Sequence, residues 1–134
     1  MLRCRTMHTG SCFCKAVTYE IASELSNASH CHCTICQQTH GAAFASYAEL
    51  PPDALTFVTS EDLVTKYYSS SNSYRMFCSQ CGSNLIWARS DSDSTIDVAL
   101  ASLDTPLQTA VTRHIYTDTK VSWLDLNEHI KNEI

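Results

Sequence analysis

Cys12-Phe13-Cys14, Cys31-His32-Cys33-Thr34-Ile35-Cys36 and Cys78-Ser79-Gln80-Cys81-Gly82 decide how this chain folds. They hold every cysteine but Cys4. A disulfide framework spreads its cysteines through a small secreted chain, whereas thiols bunched at two- and three-residue spacing read as metal ligands. A Cys-x-x-Cys turn brings two sulfurs within reach of one tetrahedral zinc, with Zn–S at about 2.3 Å. Gly82, directly after the second cysteine, suits the positive φ such a turn needs. The thiols divide most simply as four plus three. Cys12, Cys14, Cys78 and Cys81 would close a four-thiolate zinc site that ties the N-terminal strand to the middle of the chain. Cys31, Cys33 and Cys36 would hold a second zinc from one short segment and leave its fourth position open. A closed site reads as structural and an open one as catalytic, so two Zn2+ per chain are expected. The alternative closes the triple with His30, His32, His40 or Cys4. Both metals would then be structural, and the chain a binding module for a protein partner. His32, between two ligands, is expected to point away from the metal, and Cys4 reads as an unpaired thiol.

Outward from these clusters, the composition narrows the setting. The 134 residues suit a single zinc-binding domain over 1–134. The net charge is −5 and no segment gathers Lys and Arg, which argues against nucleic-acid or acidic-membrane partners. No apolar run reaches the ~18 residues of a membrane helix, and no signal-peptide core follows Met1-Leu2-Arg3. A cytoplasmic protein is expected, with its oligomeric state open. Residues 1–10 read as a poorly ordered lead-in, and Ala22–His30 as a loop. Alternating or β-branched runs predict strands at Lys15–Ile21, Ala42–Leu50, Leu55–Val58, Val64–Tyr68, Tyr74–Phe77, Asn84–Ala88, Thr95–Leu100 and Arg113–Tyr116. Only Asp125–Ile134 reads as a helix. Many short strands with few or no long helices make the fold class mainly β, a sandwich or stacked sheets. Arg75, Arg89, Arg113 and Lys120 could supply positive charge to a site but read first as ordinary surface or strand-edge cations, and His114 reads as a hydrogen-bonded structural histidine.

The chain resembles the family of glutathione-dependent formaldehyde-activating enzymes and centromere-protein-V-like proteins. The resemblance rests on Gly10-Ser11-Cys12-Phe13-Cys14 with Ala16-Val17, on Cys31-His32-Cys33-Thr34-Ile35-Cys36, and on Gly41-Ala42. Phe77-Cys78-Ser79-Gln80-Cys81-Gly82-Ser83, His114-Ile115-Tyr116 and Trp123 complete it, so that it spans roughly residues 9–125. It implies an Mss4-like fold of stacked β-sheets stapled by zinc. By position it makes Cys12, Cys14, Cys78 and Cys81 structural-zinc ligands, and Cys31, Cys33 and Cys36 catalytic-zinc ligands. The family's reaction makes or breaks the C–S bond of S-(hydroxymethyl)glutathione, so the resemblance implies a carbon–sulfur lyase acting on a small-molecule thiol or thiol adduct, glutathione among the candidates. Relatives commonly carry a basic pair after the third cysteine of the triple, where this chain has Gln37-Gln38. For a general base the sequence offers a pocket water, a Tyr hydroxyl or His40.

Overall fold

Alternation along a strand sends neighbouring side chains to opposite faces of a sheet. Thr18-Tyr19-Glu20-Ile21 shows it plainly: Tyr19 and Ile21 are buried and Glu20 is exposed. The computed structural model describes residues 5–92 and 94–127. Its strands are β1 (His8–Ser11), β2 (Thr18–Ile21), β3 (Ser26–Cys31), β4 (Ala45–Leu50), β5 (Leu55–Thr59), β6 (Val64–Ser70), β7 (Ser73–Cys78), β8 (Asn84–Arg89), β9 (Ile96–Ala99) and β10 (His114–Ile115). One α-helix, α1 (Thr34–His40), lies between β3 and β4. A three-stranded sheet runs β1-β2-β5, and a seven-stranded sheet runs β10-β3-β4-β9-β8-β7-β6. All pairings are antiparallel except the parallel β10/β3 pair. The main core joins Tyr19 and Ile21 of the small sheet to Leu50, Ile86, Ala88 and Val98 of the large one. The two sheets therefore stack face to face, and the mainly β, stacked-sheet class holds.

Register then sorts the large sheet into two faces. Ile86 pairs with Val98 and Ala48 with Val98, on the face turned to the small sheet. Arg75 pairs with Trp87, Trp87 with Asp97, and Asp97 with Glu49, which puts this row on the opposite face. On that second face a smaller cluster packs Cys31, Cys36, Ala45, Tyr47 and Ala99 with Trp87 against it. Helix α1 supplies Cys36 to that cluster.

Three expectations need correcting. Within the expected lead-in, His8–Ser11 is strand β1, held by pairing with β2 from His8↔Ile21 to Ser11↔Thr18. Within the expected loop, Ser26–Cys31 is strand β3, because β4 and β10 bond it on both sides. Helix α1 was not expected. Its seven residues are too short for a periodic signal, and its N-cap is the Cys33 sulfur, which accepts the Cys36 N–H. Asp125–Asn127 contain no helix. The remainder of the expected terminal helix, like Cys4, lies outside the described residues. No helix among the described residues is long and apolar enough to cross a membrane.

Candidate metal centres

The first centre joins the two sheets. Cys12 and Cys14 follow β1 on a turn closed by Cys12 N–H to Val17 O at 3.0 Å and Lys15 N–H to Cys12 O at 3.1 Å. Cys78 ends β7, where the Gly82 N–H reaches the Cys78 carbonyl at 2.7 Å. Gly82 has a φ of 79°, so the turn needs a residue without a side-chain penalty in that region. The four sulfurs lie within 4.8 Å of one another. Around a zinc at Zn–S of about 2.3 Å, tetrahedral sulfurs stand about 3.8 Å apart. Cys12–Cys14 at 3.5 Å and Cys14–Cys78 at 3.9 Å match that spacing. Donors converge on the same sulfurs: Val17 N–H on Cys12 at 3.4 Å and Gln80 Nε2 on Cys14 at 3.3 Å. The Ser83 hydroxyl, 3.1 Å from the Cys81 sulfur, leads the contacts that hold that thiol down to about 5, while burial pushes Cys78 up to about 11. Ser83 also receives the Phe13 N–H at 3.0 Å, so one hydroxyl links both halves of the site. This donor set could hold a metal ion.

The second centre lies on the other face of the large sheet. Cys31 ends β3, Cys33 caps α1, and Cys36 sits in its first turn, so the sulfurs gather within 4.8 Å. Residues 30–32 are clamped from the C-terminal segment. His30 N–H bonds Arg113 O at 2.8 Å and His32 N–H bonds Ile115 O at 3.0 Å. The Gln37 amide donates to the carbonyls of His32 at 2.7 Å and Thr119 at 2.9 Å, a tie between the cysteine loop and that segment. Trp123 is exposed and lines a cleft with Gln37, Gln38, Gly41, Ala42 and Val121.

None of the candidate histidines joins these three sulfurs among the described residues. His30 has both ring nitrogens engaged, with Ser46 Oγ at 2.7 Å and Val111 O at 2.9 Å. His32 is fully buried and bonded through Nε2 to His114 Nδ1 at 2.8 Å, directed away from the cluster as expected. His114 accordingly has the structural role the sequence suggested. His40 Nε2 lies 2.7 Å from Tyr47 Oη. Burial, then the Arg75 charge, pulls His40 below its ordinary value, and burial pushes Tyr47 up, so both are neutral near pH 7.

Sequence reasoning missed two side chains at this centre. Arg75, expected at the surface, is only 3% exposed. Its Nη1 donates to Tyr47 Oη at 3.1 Å and its Nη2 to the Cys36 sulfur at 3.6 Å. Tyr47 is equally buried and passes the contact on to His40. Strand alternation assigns Arg75 to the face opposite Tyr74 and Met76. No sequence signal says that this face is covered too.

A profile described as glutathione-dependent formaldehyde-activating enzyme matches residues 7–119, most of the chain. The chain belongs to the glutathione-dependent formaldehyde-activating family. An uncharacterized lyase of Schizosaccharomyces pombe is 32% identical over 81 residues, 60% of this chain and 57% of that protein. The matched part thus spans little more than half the length of that relative. The crystal structure of a Rhodobacter sphaeroides protein superimposes with a TM-score of 0.58 at 28% identity, covering 75% of this chain and 91% of that one. The two cysteine clusters fit the zinc expected of a glutathione-dependent formaldehyde-activating protein.

Proposed function

We propose that this chain is a zinc-dependent carbon–sulfur lyase of the glutathione-dependent formaldehyde-activating type, acting in the cytoplasm on a small thiol and its hydroxymethyl adduct. Cys12, Cys14, Cys78 and Cys81 hold a structural zinc, and Cys31, Cys33 and Cys36 hold a catalytic one. The observation that carries this reading is the second cluster, with three converging thiols and no histidine nitrogen among them in the described residues. Zinc bound there would supply positive charge and a fourth coordination place suited to a substrate sulfur. In the synthetic direction the thiol sulfur forms a bond to the carbonyl carbon of an aldehyde, and the thiol proton ends on the former carbonyl oxygen. The reverse direction breaks that C–S bond and returns the proton to sulfur. Tyr47 and His40 hold one exchangeable proton between Oη and Nε2, and His40 lines a cleft with Lys15, Asn84 and Asp104. Gln37 is uncharged and its amide N–H groups are engaged by two backbone carbonyls, so it offers an anionic substrate neither charge nor a free donor. Glutathione is therefore one thiol in a panel rather than the assigned substrate. The cysteines are unpaired among the described residues, which suits a reducing compartment.

Metal analysis of protein supplied with zinc should return two ions per chain. The cobalt-loaded protein should then change its spectrum with at least one thiol, and magnetisation-exchange NMR should show faster exchange between that thiol's hydroxymethyl adduct and free formaldehyde. Cys33→Ser should abolish both responses. If no thiol alters the spectrum and the second metal already has four protein ligands, the binding-module alternative replaces this reading.

A further inference from the structure

Arg75 is a buried cation with no carboxylate partner among the described residues. It is 3% exposed, and the ion pairs among the described residues are Lys15–Asp104 and Arg89–Asp91. The carboxylate that shares its face of the sheet most directly, Asp97, is two strands away, about 10 Å at ordinary strand spacing. Its Nε has no hydrogen-bond partner among the described residues. An isolated buried charge costs several kcal/mol, so such groups persist where something of opposite sign offsets them. What faces the guanidinium is the neutral Tyr47 hydroxyl and the sulfur of Cys36. Three thiolates around a divalent ion carry one net negative charge, which a single guanidinium cancels.

We propose that Arg75 is a positioning residue, the counter-cation of the Cys31/Cys33/Cys36 metal cage, acting through Cys36 and favouring a thiolate as the fourth ligand. The proposal rests on the zinc-site reading above and extends it to an element outside the cysteine motifs. With Arg75 in place, a bound thiolate brings the assembly to one net negative charge rather than two. The Tyr47 hydroxyl accepts from Nη1 and so fixes the guanidinium in the orientation that turns Nη2 to the sulfur. Tyr47 Oη is held from its other side by His40 Nε2 at 2.7 Å, which keeps the hydroxyl beside Arg75.

The test compares the full-length wild type with Arg75→Met, Arg75→Gln and Arg75→Lys, each loaded with cobalt and titrated with a chelator while the absorption of the two sites is followed. A hydrogen bond to a charged group is worth about ten- to a hundredfold in an equilibrium. The neutral variants should lose cobalt from the three-cysteine site about ten- to a hundredfold more readily, and the four-cysteine site should be unchanged. Arg75→Lys should stay within about threefold of wild type, because the unit charge beside the cage is kept. Neutral variants that retain cobalt as tightly as wild type overturn the proposal, even if their melting temperatures fall. So does an Arg75→Lys protein that loses as much as Arg75→Met. Should neither neutral variant fold, Arg75→Lys is read against wild type, and a loss of cobalt from the three-cysteine site more than about threefold readier than wild type overturns the proposal. Each variant is then titrated with 2-mercaptoethanol, where the neutral variants should bind it at least tenfold more weakly. A wild type whose spectrum ignores the thiol counts against the lyase reading, while the chelator comparison still decides the role of Arg75.

Discussion

Cys78→Ser and Cys33→Ser each remove one thiol, and the fold makes their costs unequal. Cys14 and Cys78 are 64 positions apart, and the first centre joins the three-stranded sheet to the seven-stranded one. Treating the metal clip as a cross-link, closing a loop of that length removes about 4 kcal/mol of unfolded-chain entropy, against about 2 kcal/mol for the short loop from Cys31 to Cys36. Cys78 is fully buried, so a serine hydroxyl left there without a partner adds about 1–3 kcal/mol, whereas Cys33 is partly exposed. The difference is about 3 kcal/mol or more, which corresponds to a melting temperature lower by ~10 °C for a chain of this size. Thermal melts with excess zinc, followed by far-ultraviolet circular dichroism, measure it. Cys78→Ser should melt far below Cys33→Ser or fail to fold. Equal depressions, or a larger one for Cys33→Ser, would refute the assignment of the first centre as the staple and the second as locally closed.

Gly10 pairs with Tyr19 across β1 and β2, and a methyl group on it would be driven into the Tyr19 ring, whose hydroxyl is held by Ser102 Oγ at 2.6 Å. Gly10→Ala should cost about 1–3 kcal/mol in urea unfolding, and a change below about 0.5 kcal/mol would show that the ring can move aside at no cost. Burial first, then Glu49, raises Asp97 to about 6, so the native state binds this proton more tightly than the unfolded chain does. Stability is therefore lost as pH rises from about 4 to about 6, and Asp97→Asn should gain on wild type across that window and keep the gain above it. After allowance for solvent screening the gain is about 1–2 kcal/mol at pH 7.5 and smaller at pH 5; an equal gap at both values would contradict it.

Strands β2 and β4 to β10 were legible because each lies in an alternating, β-branched or aromatic run. β3 was not, because Ser26-Asn27-Ala28-Ser29-His30 has almost no apolar content. It is a strand because β4 and β10 satisfy its backbone groups, a condition set by residues far along the chain. Helix α1 was hidden for a different reason. Its cap is a thiol, and a reading that spends Cys33 on metal has no reason to look for a helix start there.

The sequence by itself determined the two cysteine groups, their four-plus-three division, the stacked-β class and the family resemblance, because thiol spacing and strand period are local properties of the chain. Tertiary structure alone decided that His30 and His40 turn to Ser46 and Tyr47 instead of the cysteine triple. It also decided that Arg75 lies buried against Cys36. These outcomes depend on which strands become neighbours and on which face of the large sheet is covered. A strand's own residues show the alternation of its faces, and only the packed sheet determines what lies on each.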